Sequence, residues 1–356
     1  MAIQWAWNPD HMDQGSGGYW VGNIGAMSSP PFRAAANNVI AEPWLISDNG
    51  TSTSRYMYVT NTVINRRVVR FASSETQMMA CMTVQPRVFG YTTGVMTIGV
   101  RVITSAINTT NATSNWLLRL RKKDGTYRYL QRAVANKEYM VEFVCDFDND
   151  ELTPYVDGVV RGAETFSLDE FTVGSLTDVA GYSILGGSLT RTLDFTDFYL
   201  NYDAPDDPNP LGRLGDVQVL TSPVTSVNGT AGFTPVGSLT SIPAVLNQTT
   251  MAGPNTMTNH ILSGKKQELL DLHYTAPAAN TTVLGVVAML AAASSDGSPV
   301  RVRMRYNGVK TVSTTAQSTT TNTTLTLPID KPPSGNAVWT PADIGDIVIS
   351  IGSTYV

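Results

Sequence analysis

Tyr139-Met-Val-Glu-Phe-Val-Cys-Asp-Phe-Asp148 is the stretch whose reading decides the fold. Successive side chains of a strand point to opposite faces, so this spacing sends Val141, Phe143, Cys145 and Phe147 one way and Glu142, Asp146 and Asp148 the other. That predicts a strand with one face in a core and one toward water. Downstream, Tyr155-Val-Asp-Gly-Val-Val160 places Asp157-Gly158 between two β-branched runs, the signal of a two-residue hairpin. Upstream, Met96, Ile98, Val100 and Val102 alternate with Thr97, Gly99 and Arg101, predicting a second half-buried strand. A further strand is expected over Phe195–Tyr202, after a glycine turn at Gly186 and Gly187. No long 3.6-residue period appears, and the one candidate helix, the short Lys265–Leu272 piece, could equally be a loop. The fold class read from this pattern is all-β.

Outward from these strands the composition changes at Asp203-Ala-Pro-Asp-Asp-Pro-Asn-Pro-Leu-Gly212, which carries three prolines and three aspartates. Proline removes a backbone donor and holds its predecessor away from the helical region, so nothing here is expected to pair regularly. The reading is a β-sandwich over residues 1–203, a Pro/Asp-rich linker over 204–215 and a second β-sandwich over 216–356. In the second part, Asp216–Leu220 is expected to restart a strand and Val283–Leu290 to be a central strand of its sheet. Val300–Tyr306 alternates Val300, Val302, Met304 and Tyr306 inward with Arg301, Arg303 and Arg305 outward. Thr311–Thr326 holds nine threonines in sixteen residues and leads into Leu325, Leu327 and Ile329, which reads as strand and turn.

With 356 residues, two domains of ordinary size are expected. Charged residues make up 15%, against roughly 25% in an average soluble protein, while 42% are hydrophobic, so a disordered chain is excluded. The formal charge of −5 gives no footprint for a nucleic-acid partner or an anionic membrane surface. The longest apolar run, Val283–Ala293, is shorter than the roughly 20 residues that span a bilayer. The first twenty residues show no basic region followed by an apolar one, so synthesis and use without translocation are expected. Without translocation, the seven Asn-x-Thr triplets that start at Asn49, Asn108, Asn111, Asn228, Asn247, Asn280 and Asn322 read as turn-and-strand composition rather than glycan acceptors. Cys81 and Cys145, without CxxC spacing or a nearby histidine, are expected to be small buried hydrophobes.

Few constellations carry chemistry. A glycosidase needs two carboxylates roughly 5 to 9.5 Å apart beside a sugar-sized groove. Glu142, Asp146 and Asp148 are the best candidates, yet the polar face of any half-buried strand has the same spacing. Asp146-Phe-Asp-Asn-Asp150 opens like a calcium loop with Asp157 at the twelfth position, but Glu151 stands where the sharp turn needs glycine. An acidic hairpin tip is the plainer reading. His11, His260 and His273 form no zinc pattern, and neither a phosphate-binding glycine loop nor a GxSxG elbow is present. No enzymatic activity and no cofactor or metal is expected. Arg301, Arg303 and Arg305 could contact an anionic partner through bidentate pairing, with an ordinary solvated face as the alternative. Among the aromatics Trp5, Trp7, Tyr19, Trp20 and Trp44, the residues Trp20 and Trp44 are candidates for stacking on a glycan or filling a subunit contact, against core packing.

Leu211-Gly-Arg-Leu-Gly-Asp-Val-Gln-Val-Leu220 resembles a GRLGDVRV-type motif of tailed-bacteriophage structural proteins. Tyr139–Phe143, Tyr155–Gly158 and Phe195–Leu200 resemble the late strands of the concanavalin A-like, laminin-G-type jelly roll with which those proteins begin. Trp5–Asp13 is similar to their opening segment, and Val283–Leu290, Val300–Tyr306 and Trp339–Gly345 to their second half. The resemblance implies a non-enzymatic virion component of head or tail: an accessory, fibre, spike or decoration protein. It implies other virion proteins and further copies of the chain as partners, and host attachment through a surface glycan as the second reading. A polysaccharide depolymerase on the same fold is the third.

Overall fold

The computed structural model describes residues 2–7, 33–34, 38–39, 41–46, 55–61, 67–73, 77–84, 91–104, 116–121, 127–133, 137–161, 166–168, 177–184, 191–208, 210–229, 232–247, 260–263, 269–292, 294, 298–316 and 323–355. Among them the chain is all-β apart from two five-residue helices, Ile242–Leu246 and Pro341–Gly345. All strand pairs among them are antiparallel, and the large sheet pairs Val95–Thr104 with the sequence-distant strands Glu138–Asp146 and Arg191–Asp203, as in sandwiches of the jelly-roll kind.

The largest sheet runs Val159–Val160, Glu151–Val156, Glu138–Asp146, Val95–Thr104, Arg191–Asp203, Arg67–Ser73 and Arg55–Asn61. Its central strand, Arg191–Asp203, pairs along one edge with Val95–Thr104. Along the other edge it pairs first with Arg67–Ser73 and then with the N-terminal strand Ala2–Trp7. Between these two partners the ladder to Val95–Thr104 is broken by a bulge, where Asp197 takes a φ of +49°. Bulges re-aim a side chain, and Asp197 is the one re-aimed. The Asp157-Gly158 hairpin forms as expected, with φ of +50° and +77° and Val156 opposite Val159. A second sheet follows the order Tyr127–Ala133, Trp116–Arg121, Thr177–Ile184, Gln77–Val84 and Ala41–Ile46. The expected turn at Gly186 and Gly187 lies outside the described residues.

Met96, Ile98, Val100, Val102, Val141, Phe143, Cys145 and Phe195 are buried on one face of the large sheet, as the alternation demands. The opposite face departs from expectation. Thr97, Arg101, Glu142, Tyr199 and Asn201 belong to it and are buried as well. These strands are therefore covered on both sides.

In the second half, five strands are ordered Val224–Asn228, Leu270–Tyr274, Val348–Tyr355, Val300–Tyr306 and Lys310–Ala316. Leu270, Leu272, Val302, Met304, Ile349 and Ile351 face a core completed by Leu325, Leu327, Ile329 and Trp339. Three sequence expectations are corrected here. Residues 216–220 form no strand. The apolar run expected as a central strand begins at Val286 and pairs, among the described residues, with Thr323–Ile329 alone, so it forms a two-stranded ribbon rather than the middle of a sheet. The candidate helix ends in the strand Leu270–Tyr274, whose Leu270 and Leu272 alternate with Asp271; its start lies outside the described residues. The two halves touch where Ile3 lies over Gly285, at which a Cβ would come within 2.8 Å of the Ile3 Cδ1.

Candidate functional site

What covers the second face of the large sheet is the junction itself. Glu142, Gly99 and Tyr199 share one register row across three strands, with Tyr155 beside Glu142. Glu142 has no exposed surface. Its Oε1 accepts from the Tyr199 hydroxyl at 2.5 Å and from the Gly215 amide at 2.9 Å, and its Oε2 accepts from Arg213 Nη1 at 3.0 Å. The Tyr199 hydroxyl in turn accepts from the Leu214 amide at 3.1 Å. Arg213 lies 4.0 Å above the centre of the Tyr155 ring, adding a cation–π contact to its ion pair.

One end of the junction is fixed by Asp203, whose two oxygens accept from the Leu211 and Gly212 amides at 2.8 Å each. Asn201 Nδ2 donates to the Gly212 carbonyl at 2.8 Å. The other end is fixed by Arg101 and the bulged Asp197. Arg101 Nε donates to Asp197 at 2.8 Å, and its Nη2 donates to the Asp216 carboxylate at 2.7 Å and the Val217 carbonyl at 2.5 Å. Its Nη1 reaches Glu138 at 3.3 Å, and the Val219 amide donates to the other carboxylate oxygen of Asp197 at 3.1 Å. A segment with no strand partner must satisfy its amides somehow, and here carboxylates projecting from the sheet do so. Burial pulls the Arg101 guanidinium pKa down, but hydrogen bonds and charge from Asp216 and Asp197 outweigh it, so the net direction is up. Burial and the Glu142 carboxylate push the Tyr199 hydroxyl well above its ordinary value, which keeps it a neutral donor.

Gly99 makes the row possible. A Cβ there would lie 2.0 Å from Tyr199 Cε1, so only a bare backbone lets the ring lie flat and reach Glu142. Gly99→Ala is expected to cost about 1–3 kcal/mol, the range for overpacking, read by chemical denaturation. A variant as stable as the wild type would contradict this packing.

The sequence candidates are dispersed. Glu142 lies on the outer face as read, but it is buried rather than solvated, because the junction lies over it. Asp146 is the last residue of its strand, and Asp148 belongs to the turn that follows. Asp146 Oδ1 accepts from the Asp148 and Asn149 amides, its Oδ2 from Asn149 Nδ2, and Asp148 Oδ2 from the Gly94 amide. Asp150 accepts from Ser167 Oγ at 2.6 Å. These are the bonds of an acidic turn. No cluster of metal-ligating side chains occurs among the described residues.

Trp20 lies outside the described residues, as does the side chain of Trp44 on the strand Ala41–Ile46. Arg301, Arg303 and Arg305 share the outer face of the second half's sheet, with Arg301 exposed and the other two half-buried. Arg305 Nη2 donates to the Gly308 carbonyl. The junction clamp escaped the sequence reading, although one signal was present: charged Arg101 and Glu142 inside apolar runs, with Gly99 two residues before Arg101.

No family model and no curated protein matches the chain. Among solved structures, the catalytic domain of a family 131 glycoside hydrolase from Coprinopsis cinerea is 12% identical over 61% of this chain and 99% of its own, with a TM-score of 0.35. Peanut lectin is 7% identical over 46% of this chain and 99% of its own, with a TM-score of 0.29. The alginate lyase AlgAT5 of polysaccharide lyase family 7 is 8% identical over 43% and 84%, with a TM-score of 0.28. At these values the likeness says nothing about activity.

Proposed function

We propose that the chain is a non-enzymatic structural protein of a tailed-bacteriophage particle, acting through protein–protein assembly with other virion proteins and with copies of itself. The observation that carries this reading is the use made of Arg101, Glu142, Asp197 and Asp203. Each of these buried charges binds the 211–219 segment, and the carboxylate best placed for acid–base work, Glu142, is occupied by three donors. A general acid or base must reach its substrate, and Glu142 has no exposed surface. In this reading residues 1–203 and 216–356 are two β-sandwich units, the first a concanavalin A-like jelly roll. The stretch 204–215 joins them as a fastened strap, its sheet contacts continuing to Val219. Electron cryomicroscopy of the particle tests the proposal: density for the chain among other virion proteins is expected, and its absence from purified particles would overturn it.

A host-glycan reading has one observation in its favour. Tyr91 and Tyr202 stack at 3.7 Å with planes 5° apart, and the Tyr91 ring lies 6.2 Å from that of Phe147, which precedes the exposed turn residues Asp148 and Asn149. Aromatic faces with polar neighbours suit sugar recognition. A glycan array on which Tyr91→Ala and wild-type protein give equal background signals would remove this reading.

A further inference from the structure

Thr97 and Asn201 stand directly opposite each other on the strands Val95–Thr104 and Arg191–Asp203, on the face that the junction covers. Neither has any exposed surface. Asn201 Nδ2 donates to the Gly212 carbonyl at 2.8 Å, but Asn201 Oδ1 and Thr97 Oγ1 have no hydrogen-bond partner in the protein. The amide cannot be turned round to relieve this, because a carbonyl only accepts and so holds Nδ2 toward Gly212. A polar atom that gives up water on folding and gains no bond in return is costly, and two such oxygens on one row call for a cause.

The surrounding side chains do not supply the missing bonds. Along the row, Ile3 follows Asn201 on one side and Val144 follows Thr97 on the other, and both are aliphatic. In the next row Glu142 and the Tyr199 hydroxyl are committed to each other and to Arg213, Leu214 and Gly215. Two residues further along the strand, Asp203 holds the Leu211 amide on one oxygen and the Gly212 amide on the other. Directly opposed residues of an antiparallel pair have Cβ atoms about 4.5–5.5 Å apart, which puts both oxygens within reach of one small bridging molecule.

We propose that one water molecule is bound between Thr97 and Asn201 as a fixed part of the junction. It accepts from the Thr97 hydroxyl and donates to Asn201 Oδ1, and the remaining lone pair of the Gly212 carbonyl receives its second hydrogen. Three bonds are the usual complement of a buried water. A metal ion suits the same place poorly, because these oxygens are neutral and Asp203 already carries a backbone amide on each of its own. The water ties both strands to the junction at Gly212, whose N–H is held by Asp203 and whose carbonyl is held by Asn201. This inference concerns the clamp and is independent of the virion reading.

A high-resolution crystal structure of the full chain tests it. An ordered water at roughly 2.8 Å from both Thr97 Oγ1 and Asn201 Oδ1 is expected. A direct bond between the two side chains, a site without density, or an ion at about 2.4 Å from both oxygens each overturns the proposal. Chemical denaturation gives an independent readout through Thr97→Val. With the water present, this change removes one of its partners, and the midpoint is expected to fall by roughly a few tenths of a molar in urea. Without it, valine replaces an unbonded hydroxyl by a methyl group, so a midpoint that is unchanged or raised overturns the proposal. Thr97→Ser keeps the hydroxyl and is expected to keep the water in its own crystal structure; its loss there would contradict the assigned contact.

Discussion

Glu142→Ala is expected to destabilise the protein by about 3–5 kcal/mol, the cost of breaking a buried charged pair from one side. The loss has three parts. Arg213 keeps its charge with only the Tyr155 ring to hold it, the Gly215 amide loses its acceptor, and the Tyr199 hydroxyl is left facing a cavity. Glu142→Gln keeps the shape and one carbonyl acceptor, so a smaller loss is expected, concentrated in the Arg213 pair. Chemical denaturation reads both. A wild-type midpoint for Glu142→Ala would mean that the carboxylate does not hold the junction.

Arg101→Met is expected to have a comparable effect for the opposite reason. It takes from Asp197, whose side chain is 2% exposed, its guanidinium partner, and it removes the donor that the sheet gives the Val217 carbonyl. The pair to Asp216 contributes less, because that carboxylate is 83% exposed and screened by water. Removing both buried charges should therefore recover part of the loss. The double variant Arg101→Met/Asp197→Asn is expected to be more stable than Arg101→Met alone, and asparagine tolerates the +49° φ at position 197. A double variant less stable than the single one would contradict the assignment of the loss to the broken Arg101–Asp197 pair.

Much of the fold could be read from the residues because the physics there is local. Alternation from Met96 to Val102 and from Tyr139 to Cys145 sets which side chains enter the core, and Asp157-Gly158 sets the hairpin. The site could not be read in the same way. Period two says that Arg101 and Glu142 point away from the core; it does not say that a segment more than seventy residues downstream lies over them. The Pro/Asp-rich stretch gave a correct sign of missing strand pairing and none of how the chain that follows it is held. Its successor, 211–219, is anchored by side chains rather than by a ladder, and no periodicity records that. The same blindness produced the expected strand at 216–220, where Asp216 and Val219 bind Arg101 and Asp197 instead of a neighbouring strand.

Hydrogen–deuterium exchange resolved to single amides tests the clamp most directly. In the wild type, Leu211, Gly212, Leu214, Gly215 and Val219 lie outside the strands, and their amides donate to Asp203, Tyr199, Glu142 and Asp197, so slow exchange is predicted for all five. In Glu142→Gln, exchange should quicken at Leu214 and Gly215 first, with Leu211 and Gly212 still held by Asp203. Amides of 211–219 that exchange at unprotected rates in the wild type would contradict the account, since the buried charges of the sheet would then have no junction to hold.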